Sequence, residues 1–182
     1  TRKEIDMLKL NLQFFGGRGS SGNRNSADFS TQDFTKGGVY NIYRAGELNS
    51  DSPLAFFTPD KDSAYYYSLF ANRAQGEFDE YQIAYSNPLI AEGETDRERV
   101  VDAWQKLHPD KELKPTGAIS TAQLAKWWMR LDKQNAVAMK KQGYDAIVMR
   151  DSKTKEVEEV QLLTKTGKMN KRGHVRYNRK GD

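Results

Sequence analysis

VYNIYR at 39–44, LAFFT at 54–58 and PDKD at 59–62 decide the fold of this chain. The first two segments are rich in β-branched and aromatic residues, and in the first these alternate with polar ones, so both are predicted to be strands. The third places proline and aspartate where helices begin, which predicts a helix over 63–73. The folded part therefore opens with a strand, a second strand and a helix.

The same periodicities continue toward the C-terminus. They predict strands at 78–85, 144–149 and 157–163, with 89–91 continuing the first of these after an Asn-Pro turn, and amphipathic helices over 97–107 and 120–141. Ser120 is the expected N-cap of the last helix and Gly143 its C-cap. The polar residues 151–155 predict a hairpin between the last two strands. The predicted fold class is α+β, with strands at both ends and a helical insertion at about 97–141.

Both ends of the chain have a different composition. Residues 8–15 alternate apolar and polar side chains, as a strand or an extended docking peptide does, and GGRGSSGN at 16–23 is typical of a flexible linker. The residues from 164 onward are polar and basic, which predicts a disordered tail or a binding arm. We therefore expect a flexible N-terminal arm at 1–27, a folded domain at 28–163 and a basic C-terminal tail at 164–182.

The charge is divided along these boundaries. The chain carries 29 Lys and Arg against 25 Asp and Glu, a net charge of +4. Residues 1–27 hold +3 and residues 164–182 hold +6, which leaves −5 for 28–163. Attraction to nucleic acid or another anionic partner is therefore expected from the ends, by non-specific charge, and not from the domain.

Composition also excludes several kinds of site. The chain has no cysteine and two histidines, so a disulfide scaffold, a thiol nucleophile, cysteine-ligated zinc and a histidine-based triad are not expected. We expect no metal, and we predict that His108 and His174 are solvated. No run approaches the roughly 18 to 20 apolar residues of a membrane-spanning helix, so no membrane partner is expected.

Two groups of residues near the first strands are suited to bind a nucleotide. Arg44 ends a strand before small residues, where a guanidinium could hold a phosphate; the alternative is a solvated arginine. Phe56 and Phe57, with the tyrosines at 65–67, could sandwich a planar heterocycle that the Thr58 hydroxyl orients, although most of these rings could instead belong to the core.

Three carboxylates mark the start of the last predicted strand. Glu156, Glu158 and Glu159 precede the apolar run VQLL, although glutamate is a poor strand former. A carboxylate there could stabilise a ribosyl cation or accept a proton. The alternative is a charged hairpin turn.

The order of these segments resembles the ADP-ribosyltransferase superfamily, in particular its phage-encoded branch. The resemblance covers about residues 38–163 and is carried by the strand ending in YR, by FFTPD leading into the helix with SAYY, by NPLI at 87–90, by GYDAIV at 143–148 and by EVQLL at 159–163. It implies a split β-sandwich with the helical insertion and flexible basic ends. The segment LNLQFF at 10–15 is similar to the amino termini of phage head-associated proteins.

The resemblance also implies an activity. Such a protein would cleave the nicotinamide–ribose bond of NAD, its substrate, and transfer ADP-ribose to a macromolecular target or to water. Arg44 would contact the phosphates or ribose, and Phe57 and Tyr65 would surround the nicotinamide beside Thr58. Glu159 would be the catalytic glutamate. The implied location is the bacterial host cytoplasm or the phage virion.

Two departures from the family pattern affect this assignment. Arginine-modifying members have Glu-x-Glu before the last apolar run. With Glu159 as the second glutamate of that motif, the first position falls on Val157, and the adjacent Glu158 would replace the missing glutamate. A shifted register would instead use Glu156 and Glu158. Pro59 also follows Thr58, where the family often has a small polar residue. The alternative function is a non-catalytic phage head or cargo protein that contacts capsid or nucleic acid through its basic ends.

Overall fold

Ten regular elements form within the part of the chain that the computed structural model describes, which comprises residues 29–49, 51–69, 71, 74–118 and 120–178. In chain order they are β1 (Gly38–Arg44), β2 (Leu54–Phe57), α1 (Lys61–Ser68), β3 (Glu77–Tyr85), β4 (Pro88–Gly93), α2 (Asp96–Leu107), α3 (Thr121–Gln142), β5 (Ala146–Asp151), β6 (Val157–Leu163) and β7 (Lys168–Arg176). The predicted α+β class is confirmed. Residues 1–27, for which we predicted an N-terminal arm, lie outside the described part.

The strands form two sheets. Sheet A has three antiparallel strands in the order β1-β3-β7, and sheet B has four in the order β2-β6-β5-β4. In sheet B only the β4–β5 pair is parallel, and the helices α2 and α3 form the connection between these two strands. This arrangement agrees with the rule that parallel neighbours need a long crossover connection.

Two apolar cores lie on opposite faces of sheet B. One, which contains Ile42, Phe57 and Val160, receives side chains from both sheets and lies between them. The other, which contains Phe56 and Met149, lies between sheet B and the helices α2 and α3. Because neighbouring residues of a strand point to opposite faces, Phe56 and Phe57 belong to different cores.

A third, smaller core lies on the far side of sheet A. Here α1 packs against Tyr43 and Phe78, whose side chains point away from sheet B. The helix begins at its N-cap Asp60, which accepts hydrogen bonds from two backbone N–H groups of the first turn. It ends at Ser68, earlier than the predicted 63–73, because the Ser68 hydroxyl bonds back to Tyr65 and accepts the N–H of Gly76.

Capping residues define the ends of the two long helices. Ser120 caps α3 through the N–H of Gln123, and Gly143 ends the same helix with φ 80°, a left-handed conformation that suits glycine. Both predictions are confirmed. Helix α2 begins with a capping box formed by Thr95 and Glu98. None of the helices in the described residues combines the length and the apolar character that crossing a membrane requires.

The GYD segment has a local structural role. The Asp145 carboxylate accepts hydrogen bonds from the backbone N–H groups of Ser86 and Asn87, at 2.7 and 2.8 Å. It thereby fixes the turn between β3 and β4 at the start of β5. Residues 89–91 belong to the separate strand β4, and the predicted β5–β6 hairpin is confirmed.

The C-terminal segment differs from the prediction. Residues 168–176, expected to be disordered or a binding arm, form strand β7, which pairs along β3 with a bulge. The prediction of disorder is therefore wrong for residues 168–176. The strand forms because the free edge of β3 offers its backbone groups and because acidic side chains of β3 pair with the basic ones of β7.

Candidate active site

The two sheets are joined at one corner. The backbone N–H of Tyr43, in β1, donates to the carbonyl of Thr58 at 2.9 Å, and the N–H of Thr58 donates back to the carbonyl of Tyr43 at 2.9 Å. Tyr43 belongs to sheet A, whereas Thr58 directly follows β2 of sheet B. The residues next to this bridge, Arg44 and Phe57, are therefore neighbours although they belong to different sheets.

The Arg44 side chain is held against the corner. Its Nη1 donates to the carbonyl of Phe56 and its Nη2 to the carbonyl of Glu47, both at 2.9 Å. The guanidinium carbon lies 6.0 Å from the centre of the Phe57 ring. Burial lowers the pKa of Arg44, and nearby Tyr81 is the strongest influence in the opposite direction. An arginine nevertheless stays charged in proteins, so the corner carries a partly buried positive charge.

One donor of this guanidinium is uncommitted. The Nε atom of Arg44 is buried and has no hydrogen-bond partner among the residues described. A buried N–H without an acceptor is costly, and an anionic oxygen is the acceptor a guanidinium binds best. Arg44 is partly exposed, and two backbone carbonyls hold its guanidinium at the corner.

Phe57 and Thr58 both contribute to the corner. Phe57 is buried in the core between the sheets, with its ring 5.4 Å from that of Tyr81 in an edge-to-face arrangement. The Thr58 hydroxyl is buried and accepts the backbone N–H of Asp60 at 3.3 Å, which shapes the turn into α1.

The predicted catalytic glutamates lie at the same end of the sheets. The β2–β6 ladder stops at the pair Phe57–Val160, so Thr58 follows the ladder on one strand and Glu159 precedes it on the other. Both Glu158 and Glu159 are buried. Arg44, Phe57, Thr58 and the two glutamates therefore lie at the same end of the two sheets.

The Glu159 side chain does not point into the core between the sheets. In the β5–β6 ladder Met149 pairs with Glu159 but Arg150 pairs with Val157, so Glu158 is the extra residue of a bulge. Glu159 shares the face of its partner Met149, which belongs to the core beneath the helices. Its Oε2 accepts a hydrogen bond from Gln161 at 2.9 Å.

A buried carboxyl group of α3 lies near Glu159. Asp132 is 5% exposed, and its pKa is raised well above the usual value, first by burial and then by the negative charge of Glu159. Two neighbouring carboxyl groups in a dry environment disfavour ionisation of at least one of them. The helical layer therefore influences the electrostatics of this glutamate.

Tyr65 is not brought to the corner with the other predicted residues. Its ring belongs to the small core on the outer face of sheet A, with Tyr43 and Phe78, and its hydroxyl accepts a hydrogen bond from Gln75. The cause is the direction of α1, which crosses behind sheet A after the Thr58 turn.

A row of charged side chains continues from Arg44 across sheet A. Arg44 on β1 pairs with Asp79 on β3, and Asp79 pairs with His174 on β7, so all three share one face. Asp79 is 1% exposed. Its Oδ1 lies 3.1 Å from His174 Nδ1 and its Oδ2 lies 3.3 Å from Lys171 Nζ. We call Arg44, Asp79, Lys171 and His174 the charged row.

Sequence reasoning missed three members of this row. His174 is exposed, as expected, but its imidazole is also bonded to a buried carboxylate. The signal was in β3, where the period of two places Asp79 on the same buried face as Tyr81 and Ile83. A carboxylate on a buried face needs cationic or N–H partners. No sequence pattern indicated that these would come from 171–174.

Comparison with protein-family profiles, curated proteins and solved structures finds no match to this chain. The described residues contain no group of three or more His, Cys, Asp or Glu side chains arranged to hold a metal ion.

Proposed function

We propose that this chain is an NAD-dependent ADP-ribosyltransferase that cleaves the nicotinamide–ribose bond and transfers ADP-ribose to a macromolecular target. The observation that carries the proposal is the corner, where Arg44 lies beside Phe57 and Thr58 at the end of the β2–β6 ladder. Glu158 and Glu159 lie at the same end of β6, with Glu159 on the opposite face of sheet B from Phe57. Three strands thereby supply an anion-binding cation, an aromatic ring and carboxylates at one end of the two sheets.

Each residue has a role that follows from its chemistry. Arg44 binds the phosphates of NAD, because its buried Nε–H still needs an acceptor. Phe57 offers the apolar ring at the base of the corner. Glu159 stabilises the positive charge that develops on the ribose as nicotinamide leaves with the electron pair of the broken bond. Tyr65 has no role in this assignment, because it lies behind sheet A.

The bulge bears on the choice between the two glutamates. Bulges often border functional sites, where they redirect a side chain. Here the bulge separates Glu158 from the regular alternation of β6, so that Glu159 stays in register with the end of β2. We therefore keep Glu159 as the catalytic residue and Glu158 as the residue that orients the target, with the shifted register as the variant to test.

The test measures the release of nicotinamide from NAD by the purified full chain. Glu159→Gln keeps the size of the side chain and removes its charge, and it should slow release by about 100-fold or more. Glu158→Gln should leave release within a few fold and reduce transfer. Glu112→Gln, on the exposed loop between α2 and α3, is the matched control and should behave like the wild type.

The outcomes separate the assignments. Loss of release in Glu158→Gln with full activity in Glu159→Gln would select the shifted register. If the wild type releases no nicotinamide and millimolar NAD does not raise its melting temperature, the proposed activity is wrong.

A second candidate is the non-catalytic head or cargo protein. It is favoured by the exposed cations Lys165, Lys168 and Arg172, which follow β6 and line β7. The discriminating measurement is binding to duplex DNA as a function of salt. A steep loss of affinity with rising salt, together with no response to NAD, would favour this candidate.

A further inference from the structure

Each sheet has two edge strands, and side chains occupy backbone groups on three of these four edges. At the edge of β1, Gln32 donates through Nε2 to the carbonyl of Asn41 at 2.8 Å and accepts the N–H of Asn41 at 3.0 Å. At the edge of β2, Arg44 donates to the carbonyl of Phe56 at 2.9 Å. An edge strand offers its backbone groups to any further strand, and side chains bonded to those groups compete with such pairing.

The edge of β4 is covered by α2. Asp102 accepts the N–H of Glu92 at 2.8 Å, and Lys106 Nζ donates to the carbonyl of Ile90 at 2.9 Å. Asp102 and Lys106 are also paired with each other at 2.9 Å, so each side chain is held in place. Helix α2 thereby takes up donors and acceptors that β4 would otherwise offer to another strand.

The fourth edge, that of β7, is open. The N–H of Tyr177 donates to the carbonyl of Gly76 at 2.9 Å, so the next pair of the ladder directs the backbone groups of Arg176 away from β3. The alternation of an antiparallel ladder, followed through the bulge, assigns outward backbone groups also to His174, Lys171 and Met169. Among the residues that the structure describes, none bonds to these outward groups.

The open edge is positively charged. Strand β7 contains four lysine and arginine residues and no acidic residue. Lys171 and Arg176 are paired with acidic side chains of β3, at 3.3 and 3.2 Å. Lys168 and Arg172 are exposed, and neither has an acidic partner within the described part of the chain. A partner with negative charge is therefore complementary to this edge.

We propose that the edge of β7 binds an extended acidic peptide segment of a partner protein, which adds a fourth strand to sheet A. The backbone of the peptide pairs with the outward groups of β7, and its carboxylates lie beside Lys168 and Arg172. Backbone pairing supplies affinity and the charges select the sequence. The proposal does not rest on the cleavage of NAD, because β7 is separated from β1 by β3.

Other occupants match this edge less well. Two copies of β7 paired with each other would bring lysine and arginine side chains together, and like charges on paired strands are destabilising. The alternating segment at 8–15 contains a lysine and no acidic residue, so it has the wrong charge. Nucleic acid would match the cations, but its phosphates offer no donors to the outward carbonyl groups.

The binding test uses the full chain and labelled peptides of alternating threonine and glutamate, matched to the nine residues of β7. Fluorescence anisotropy should show binding of this peptide, and replacing its glutamates with lysines should abolish it. Methylation of the backbone nitrogens keeps the charge and removes the donors of the peptide, and it should weaken binding by about tenfold or more. Equal affinity of the methylated peptide would overturn strand pairing, because charge alone would then explain the attraction.

Variants of the chain test the charges. Reversing both unpaired cations, Lys168→Glu with Arg172→Glu, should weaken binding of the threonine–glutamate peptide by about tenfold or more. The matched control reverses two other exposed lysines, Lys111→Glu with Lys126→Glu, and should keep the affinity. Circular dichroism checks that both proteins are folded. Equal weakening in the two double variants would place the attraction elsewhere and overturn the assignment to β7.

A third measurement tests the edge without any ligand. Amide hydrogen exchange, followed by NMR, should be fast at Lys171 and His174, whose N–H groups point outward, and slow at Asn170 and Val175, whose N–H groups point toward β3. The threonine–glutamate peptide should slow exchange at the outward amides. Slow exchange at those amides in the free chain would overturn the proposal, since the edge would already be covered.

Two further outcomes identify another occupant and overturn the proposal. A dimer in sedimentation velocity, together with slow exchange at the outward amides, would select a second copy of the chain. Salt-sensitive binding of duplex DNA that needs Lys168 and Arg172, with no binding of the threonine–glutamate peptide, would select nucleic acid. Release of nicotinamide from NAD tests the proposed function separately, and its absence leaves each of these binding results unchanged.

Discussion

Replacing Asp132 with Asn should make the protein more stable at neutral pH. Burial and the charge of Glu159 raise the pKa of Asp132 above its usual 3.8. The folded chain therefore keeps a proton that the unfolded chain releases, so the free energy of unfolding falls as the pH rises above about 4. The decline reaches about 1.4 kcal/mol per pH unit until the pKa of the folded state is passed, and the loss persists above it. Asparagine carries no charge and removes this decline.

Urea unfolding of wild type and Asp132→Asn between about pH 4 and about pH 8 measures the effect. The two stabilities should be close at the acid end and diverge as the pH rises, with the variant more stable. Asp110→Asn, on an exposed loop, is the control and should follow the wild type at every pH. Parallel curves for Asp132→Asn and wild type would refute the argument, because the carboxyl group would then ionise equally in both states.

Three further predictions concern other parts of the fold. Asp79→Ala removes the hydrogen bonds to Lys171 and His174, which are exposed enough to be solvated, and should lower the free energy of unfolding by about 1 to 3 kcal/mol. Glu80→Ala, on the outer face of β3, should change it by less than about 0.5 kcal/mol in the same urea titration. Gly143→Ala forces a side chain into a left-handed conformation and should cost about 1 to 2 kcal/mol, seen as a lower melting temperature; an unchanged melting temperature would contradict the cap assignment. Tyr65→Phe removes the bond to Gln75 and should cost about 1 kcal/mol of stability while KM for NAD stays the same. A marked rise in KM would place Tyr65 in the site after all.

The parts of the fold that the sequence predicts are those with strong local patterns. Strands β1, β3 and β6 have alternating or continuous apolar residues, and α3 carries both of its expected caps. Strand β7 has no such pattern, because in this strand only Met169 and Val175 are partly buried against the cores. It is held by its pairing with β3, and cross-strand pairing between distant segments leaves little trace in the local composition.

The same distinction applies to the candidate site. Arg44, Phe57 and Thr58 lie within 15 residues of one another in the sequence, so the local sequence pattern is enough to predict that they lie in one region. Tyr65 follows them within a few residues, yet α1 carries it to the opposite face of sheet A, and only the tertiary packing decides this direction. Asp79 and His174 are 95 residues apart, so their contact depends on a pairing that the sequence does not indicate.

The backbone bridge between Tyr43 and Thr58 has a mechanical consequence. Two reciprocal hydrogen bonds fix the spacing of the two sheets at this corner, whereas elsewhere the sheets meet through the side chains of the core between them. Changes in the size of those core side chains would therefore alter the sheet spacing least beside the bridge, where Arg44 and Phe57 lie.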